Sequence, residues 1–142
     1  MKIMVAVDGS DDSLKAVQWV LDHAHWYRDK PVIELVHVHS PLPYLSRAKS
    51  VISKDQIEHY YQEEGAAALE SAKKLLDGAG QAFAAHILVG PVAETIVQHS
   101  WKNACDLLVL GTRGMGAAAS LLMGSTAIKV LHLSAAPVLL VK

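Results

Sequence analysis

The chain reads as an α/β protein, with a five-stranded parallel sheet covered by helices on both faces. Short, continuously apolar runs of strand length alternate along its whole length with longer segments whose apolar residues recur at helical spacing. The strand runs, such as Ile3 to Val7 and Leu107 to Leu110, lack the polar alternation of a half-solvated sheet, so both of their faces need cover. A glycine-rich stretch follows the fourth strand, where the chain passes into a helix. Crossovers between parallel strands are right-handed, and ligands of such sheets bind outside the carboxyl ends of the strands, where strand order reverses.

Each element has its own signal. After Ile3 to Val7, the run Asp8-Gly9-Ser10-Asp11-Asp12-Ser13 is rich in helix N-cap residues and predicts a helix from Asp11 to Tyr27, with Leu14, Val17, Leu21 and Ala24 facing the sheet. Pro31 separates it from a second strand, Val32 to Val38. Ser40-Pro41-Leu42-Pro43 then breaks the chain, and the aperiodic stretch to Ser53 exceeds the usual connection of about 2–6 residues, which suits either a lid or a surface excursion. A helical pattern returns from Lys54 to Leu76, with Ile57, Tyr61, Ala68, Ala72 and Leu75 on one stripe. Gly65 interrupts it at a cost of about 1 kcal/mol relative to Ala, which a close packing contact would explain.

A third strand lies within Ala82 to Val89. Pro91 opens the next helix, where its missing N–H costs nothing, and that helix runs to Asn103 and buries Ala93, Ile96, Val97 and Trp101. Leu107 to Leu110 is the fourth strand, Ser125 to Leu133 the fourth helix and Val138 to Val141 the fifth strand. At 142 residues the chain is expected to form one domain, spanning residues 1–142, that buries roughly two thirds of its unfolded surface.

The stretch from Asp106 to Val130 carries the most chemistry. It holds Gly111, Gly114, Gly116 and Gly124, the last followed by Ser125 and Thr126. Gly111 ends a strand where the chain turns and a ligand could approach the backbone. Gly114 and Gly116 keep the loop open, so that successive N–H groups can form an anion nest. Gly124-Ser125-Thr126 starts a helix whose first N–H groups lack partners and whose dipole favours negative charge. Strand end, glycine loop and helix N-terminus together describe a phosphate cradle. Arg113 inside the loop offers a planar donor fork to a phosphate, or is simply an exposed loop-tip arginine. The hydroxyls of Ser125 and Thr126 suit phosphate, magnesium or a helix cap. Asp8, just past the first strand, could accept from a ribose hydroxyl or cap the following helix.

The spacing G-x2-G-x9-G-[ST], met by Gly111, Gly114, Gly124 and Ser125, resembles that of the universal stress protein family, specifically its ATP-binding branch. The opening MVAVDGSDDS, the LVHVHS strand, LVGPVAETIV and the closing APVLLVK extend the resemblance over the whole chain. It implies a Rossmann-like sheet of order 3-2-1-4-5, akin to that of adenine nucleotide alpha hydrolases, with the site in the crevice between strands one and four. It also implies that Asp8 lines the nucleoside pocket, that the backbone of Ala6 and Val7 lies near adenine, and that Val38 packs against the base. Arg113 matches a place where the family carries histidine or arginine. ATP with Mg2+ is the implied ligand, AMP or cyclic AMP the alternatives, with the metal on the nucleotide and Ser125 a candidate for touching it. No metal held by the protein itself is assigned.

Charge and composition narrow the field. Lys plus Arg number 13 against 14 for Asp plus Glu, and no basic stripe suits nucleic acid; Arg47, Lys49 and Lys54 are too sparse. No apolar run approaches the ~18 residues a membrane span needs. The N-terminal run is too short for a secretory signal, and the one cysteine, Cys105, suits a reducing cytosol, so a cytoplasmic location is expected. Of the eight histidines, His37 and His39 alternate on one strand face but make a weak metal site. His59, His86, His99 and His132 are scattered without ligand spacing.

Catalytic signals are few. There is no GxxxxGK[ST] loop, Lys129 falls a turn into its helix, and no nucleophile elbow is present. Three readings follow: a nucleotide-dependent regulator in the stress response, an ATP-using enzyme at the same crevice (a slow ATPase or an adenylating enzyme), and a nucleotide-free interaction protein. DGSDDS echoes the S-G-G-x-D-S loop of the related ATP pyrophosphatases but lacks its leading serine and second glycine. The apolar C-terminal strand, Val138 to Val141, would lie at a sheet edge open to pairing, and the resemblance implies a homodimer through it. An unidentified protein partner completes the expected set.

Overall fold

The computed structural model describes residues 1–42, 53–115 and 123–142. Its elements are β1 (Lys2–Ala6), α1 (Asp11–Asp22), β2 (Val32–His39), α2 (Lys54–Gly78), β3 (Phe83–Val89), α3 (Val92–Lys102), β4 (Leu107–Gly111), α4 (Ser125–Leu133) and β5 (Val138–Val141). The five strands form one sheet in the order β3-β2-β1-β4-β5, and every neighbouring pair is parallel. Strand order therefore reverses between β1 and β4.

Two apolar layers hold the sheet. On one face Val17 and Val20 of α1 and Leu69, Ala72 and Leu76 of α2 pack on Ile3, Val5, Ile33, Leu35 and Val109. On the other, Ala93 and Ile96 of α3 and Val130 of α4 cover Met4, Val36, Leu108 and Leu110. The central strands alternate between these layers residue by residue, which is why residues 3–6 of β1 and residues 107–110 of β4 are apolar throughout.

Several boundaries differ from expectation for identifiable reasons. The first helix stops at Asp22, not Tyr27, and a 3-10 turn over Ala24–Trp26 follows. His23 donates from Nδ1 to the Trp19 carbonyl at 2.7 Å and stacks on the Trp19 ring, so a side chain takes part in the last turn's bonding. On α2 the buried residues are Tyr61, Gly65, Leu69, Ala72 and Leu76, a stripe offset from the expected one. Gly65 sits where a Cβ would lie 2.5 Å from Ile87 Cγ2, so close approach to β3 explains it. On α3, Ser100 turns inward and Trp101 is 78% exposed, contrary to its expected burial. Ala93, Ile96 and Ser100 share one face at i, i+3 and i+7, and Trp101 lies a further 100° around the helix. The expected lid falls mostly at 43–52, outside the described residues, as do Arg47, Lys49 and Gly116.

Candidate functional site

The reversal of strand order opens a crevice of about 320 Å3 beyond the carboxyl ends of β1 and β4. All ten residues singled out in the sequence line it: Ala6, Val7 and Asp8 after β1, Val38 on β2, Gly111, Arg113 and Gly114 after β4, and Gly124, Ser125 and Thr126 at the start of α4. Its volume falls in the range of small-molecule sites.

Asp8 is the organising residue. Its Oδ1 accepts from the Ser10 amide at 3.0 Å and from the Ser10 hydroxyl, and its Oδ2 accepts from the Met115 amide at 2.8 Å. The helix cap it could have supplied comes instead from Ser10, whose Oγ accepts from the Ser13 amide at 3.2 Å. Burial pushes the Asp8 carboxyl up, but the hydrogen bonds from Ser10, Met115 and Ser13 outweigh it and hold the group below its ordinary value. Asp8 is therefore ionised at neutral pH and ties the end of β1 to the glycine loop.

Two glycines of the loop, Gly111 and Gly114, have distinct steric reasons. A Cβ on Gly114 would collide with Asp8 Oδ2, so this position is small because the carboxylate lies against it. One on Gly111 would lie 2.7 Å from the backbone of Asp12, where α1 crosses the strand end. At Gly124 the nearest protein atom is the Thr112 carbonyl at 3.4 Å, an ordinary contact, so the protein itself leaves room there. The Gly124 amide donates to that carbonyl at 2.6 Å and closes the loop. Because Met115 gives its amide to Asp8, that N–H is not part of an anion nest.

The N-terminus of α4 differs from those of α1 and α2. Ser10 and Ser53 cap those helices with side-chain hydrogen bonds, whereas the N-cap of α4 is Gly124, which offers none. Ser125 and Thr126 are thus the first two helical residues, not caps. Among the described residues, neither hydroxyl has a hydrogen-bond partner. The open N–H groups and the dipole of α4 face the crevice, with two hydroxyls beside them.

Arg113 is not a free loop-tip cation. Its Nε donates to Asp12 Oδ2 at 3.0 Å, and Lys15 Nζ bonds Asp12 Oδ1 at 2.9 Å. Asp12 is 8% exposed, and its hydrogen bond from Lys15, followed by that from Arg113, holds its carboxyl below the ordinary value. One edge of the guanidinium is fixed against α1, and the rest of the side chain lines the crevice.

The apolar side of the crevice is built by β2. The Val7 amide donates to the Val36 carbonyl at 2.9 Å, so the peptide groups of Val36 face β1. Two residues on, those of Val38 face the same way, past the last residue of β1. The Val7 carbonyl accepts from His37 Nδ1 at 2.9 Å, which anchors the end of β1 to β2. His37 therefore has a structural task, and among the described residues no third ligating side chain joins it and His39.

Sequence reasoning missed Asp12, Ser13, Val36, Val92, Ile96 and Thr112. Asp12 anchors Arg113, and the other five line the crevice. Val36 could have been found from Val38 by the two-residue period of a strand, and Thr112 lies inside the glycine motif. Val92 and Ile96 carried no signal beyond helical spacing.

A doubly wound parallel sheet with a crevice of this construction at its switch point defines a Rossmann-like α/β protein. The chain belongs to the universal stress protein family, whose model matches residues 1–142. A universal stress protein of Thermus aquaticus is 33% identical over 147 residues, covering 99% of this chain and 97% of the relative. Another, from Methanocaldococcus jannaschii, is 31% identical over 141 residues, with 99% and 81% covered. Among solved structures, hypothetical protein MJ0577 superposes with a TM-score of 0.82 at 26% identity, covering 99% of this chain and 94% of its own. Two more distant structures share the fold and hold ligands. A universal stress protein in complex with cAMP has a TM-score of 0.68 at 24% identity, covering 99% of this chain and 95% of its own. An Arabidopsis thaliana family member with AMP bound has 0.70 at 22%, covering 100% and 91%.

Proposed function

We propose that this chain is an adenine-nucleotide-binding regulatory protein of the stress response, taking ATP with Mg2+ in the crevice between β1 and β4. The observation that carries the reading is the convergence of an ionised, anchored carboxylate, Asp8, with an uncapped helix N-terminus at Ser125 and Thr126 on one cavity. The cavity suits a ligand with a hydroxyl-bearing ring at one end and phosphates at the other. Asp8 accepts from the ribose, and the α4 amides and hydroxyls take the phosphates. The peptide groups of Val38 present a donor and an acceptor beside an apolar wall, as the edge and face of adenine require. Arg113, held by Asp12, adds its remaining donors to the phosphates, and Mg2+ rides on the nucleotide with Ser125 as its one protein contact. Nucleotide complexes of structural relatives, with cAMP and with AMP, support the adenine assignment.

Binding rather than turnover is the reading we favour, because among the described residues no lysine lines the crevice. Lys15 is paired with Asp12, and Lys129 reaches Glu94 at 2.5 Å. ATP occupancy thus changes the surface at the crevice mouth that a protein partner meets. The protein is proposed to act in the cytoplasm as a homodimer: β5 is an edge strand of the sheet, and its outward N–H and C=O groups can pair with a second copy. Among the described residues, no helix is long and apolar enough to cross a membrane.

Thermal unfolding of nucleotide-stripped protein with Mg2+, then with ATP, AMP, cyclic AMP or GTP, tests the site. A ligand at a hundred times its Kd adds about 2.7 kcal/mol, a rise in Tm of roughly 5–15 °C for a chain this size. ATP is expected to give the shift and GTP none. Equal shifts with both would remove the adenine assignment, and no shift with any would remove nucleotide binding.

A further inference from the structure

A second cluster of functional side chains lies at the other end of the sheet from the crevice. Glu34 is the third residue of β2, His86 the fourth of β3, and His99 lies near the end of α3. His86 pairs with Val36 in the strand register, so Glu34, two residues before Val36, and His86 project to the same face, the one α3 covers. His86 Nε2 donates to Glu34 Oε2 at 2.7 Å. The rings of His86 and His99 have centroids 4.7 Å apart at 56°. One ligating atom from each of the three residues lies within 4.8 Å of the other two.

An ion pair explains only part of this arrangement. Glu34 is 7% exposed, and a buried carboxylate needs partners; His86 and Lys2, whose Nζ is 3.7 Å from Oε1, provide them. His99 is superfluous to that pair, yet its Nε2 is buried and has no hydrogen-bond partner among the described residues. An unsatisfied buried nitrogen beside an imidazole and a carboxylate is a cost that a metal ion would remove. Two imidazoles and one carboxylate form a donor set used for zinc, with a fourth position left for water.

We propose that Glu34, His86 and His99 bind a zinc-class divalent transition metal, clamping the end of α3 to β2 and β3. The ring nitrogens and a carboxylate oxygen each donate a lone pair, the proton between His86 and Glu34 leaves Nε2, and no oxidation is involved. Ligand atoms around tetrahedral zinc stand roughly 3.4 Å apart, which rotamer adjustment reaches from the spacing here. His86 is partly exposed and gives the ion a path in. The site rests on none of the residues assigned to the nucleotide.

The test uses the untagged full chain, freed of metal with a chelator and titrated with Zn2+ in competition with a chromophoric chelator. Co2+ serves as the spectroscopic probe. One Zn2+ per chain is expected, with a visible Co2+ spectrum of low coordination number. His99→Ala, which leaves the Glu34–His86 pair intact, should weaken Zn2+ by ~100-fold or more, exceeding the effect of losing an outer-sphere partner. His99→Gln serves if the alanine variant fails to fold by circular dichroism, and His25→Ala should bind as the wild type does. Absence of saturable Zn2+ binding, or unchanged affinity in the folded His99 variant, would overturn the assignment.

Discussion

The Met115 amide donates to Asp8 Oδ2 at 2.8 Å, joining positions 107 apart in sequence. This bond ties the end of β1 to the loop after β4 across the point where strand order reverses. It also determines why residue 114 is glycine, since a Cβ there would take the carboxylate's place.

Asp8→Asn should therefore lower stability by about 2 kcal/mol in urea unfolding at neutral pH, because an amide nitrogen cannot accept from Met115 and a charge-assisted bond is lost. The pH dependence has a definite sign. The folded Asp8 carboxyl is held below its ordinary value, so its contribution is complete above that value and is lost as pH falls through the lower folded one. The variant's stability should fall less steeply than the wild type's in that acid window. Asp12, depressed in the same direction, keeps some slope in both.

Three of the loop glycines, Gly111, Gly114 and Gly124, should separate when each is changed to alanine. Gly111→Ala meets the backbone of Asp12, which side-chain rotation cannot relieve, so it should cost the most stability, about 1–3 kcal/mol or more. Gly114→Ala displaces Asp8 and should reduce both stability and ATP-induced thermal stabilisation. Gly124→Ala should unfold within about 1 kcal/mol of the wild type, because its Cβ makes an ordinary contact. Any loss of ATP response in that variant would then report on phosphate at the α4 terminus, separately from folding.

Gly65 and Ile87 should be coupled. Gly65→Ala puts a methyl 2.5 Å from Ile87 Cγ2 and is expected to destabilise by about 1–3 kcal/mol, despite alanine's better helix propensity. Shortening the partner with Ile87→Ala should reverse the sign of the Gly65 substitution, and chemical denaturation of the four members of this double-mutant cycle measures it.

Assembly can be tested at β5 without disturbing its inner face. The Leu108 amide donates to the Pro137 carbonyl and the Thr112 amide to the Val141 carbonyl, so the Leu140 amide points away from β4. Leu140→Pro removes an outward donor while leaving that ladder in place. The wild type is expected to be a dimer by light scattering and the variant a monomer with a helical circular dichroism spectrum. A folded variant that remains dimeric would place the interface elsewhere.

Much of this protein could be read from its residues. Continuous apolar runs specified buried parallel strands, helical periodicity specified the elements between them, and α4 and β5 fall on the expected residues. The ten residues picked for the crevice all line it: Ala6, Val7 and Val38 came from the family resemblance, whereas the others sit at strand ends, a loop and a helix start, places that sequence marks with glycine, serine and aspartate. Local chemistry was enough there, since turns and caps depend on the few residues nearest them.

Tertiary structure decided what depends on distant neighbours. It made Arg113 the partner of Asp12, assigned the α1 cap to Ser10 and turned Trp101 outward. It also gathered His86 and His99, 13 positions apart with no ligand spacing, around Glu34 from a third element. A sequence displays spacing along one chain, whereas a site of this kind is set by strand register and helix packing, which place ligating atoms from separate elements within 4.8 Å of one another.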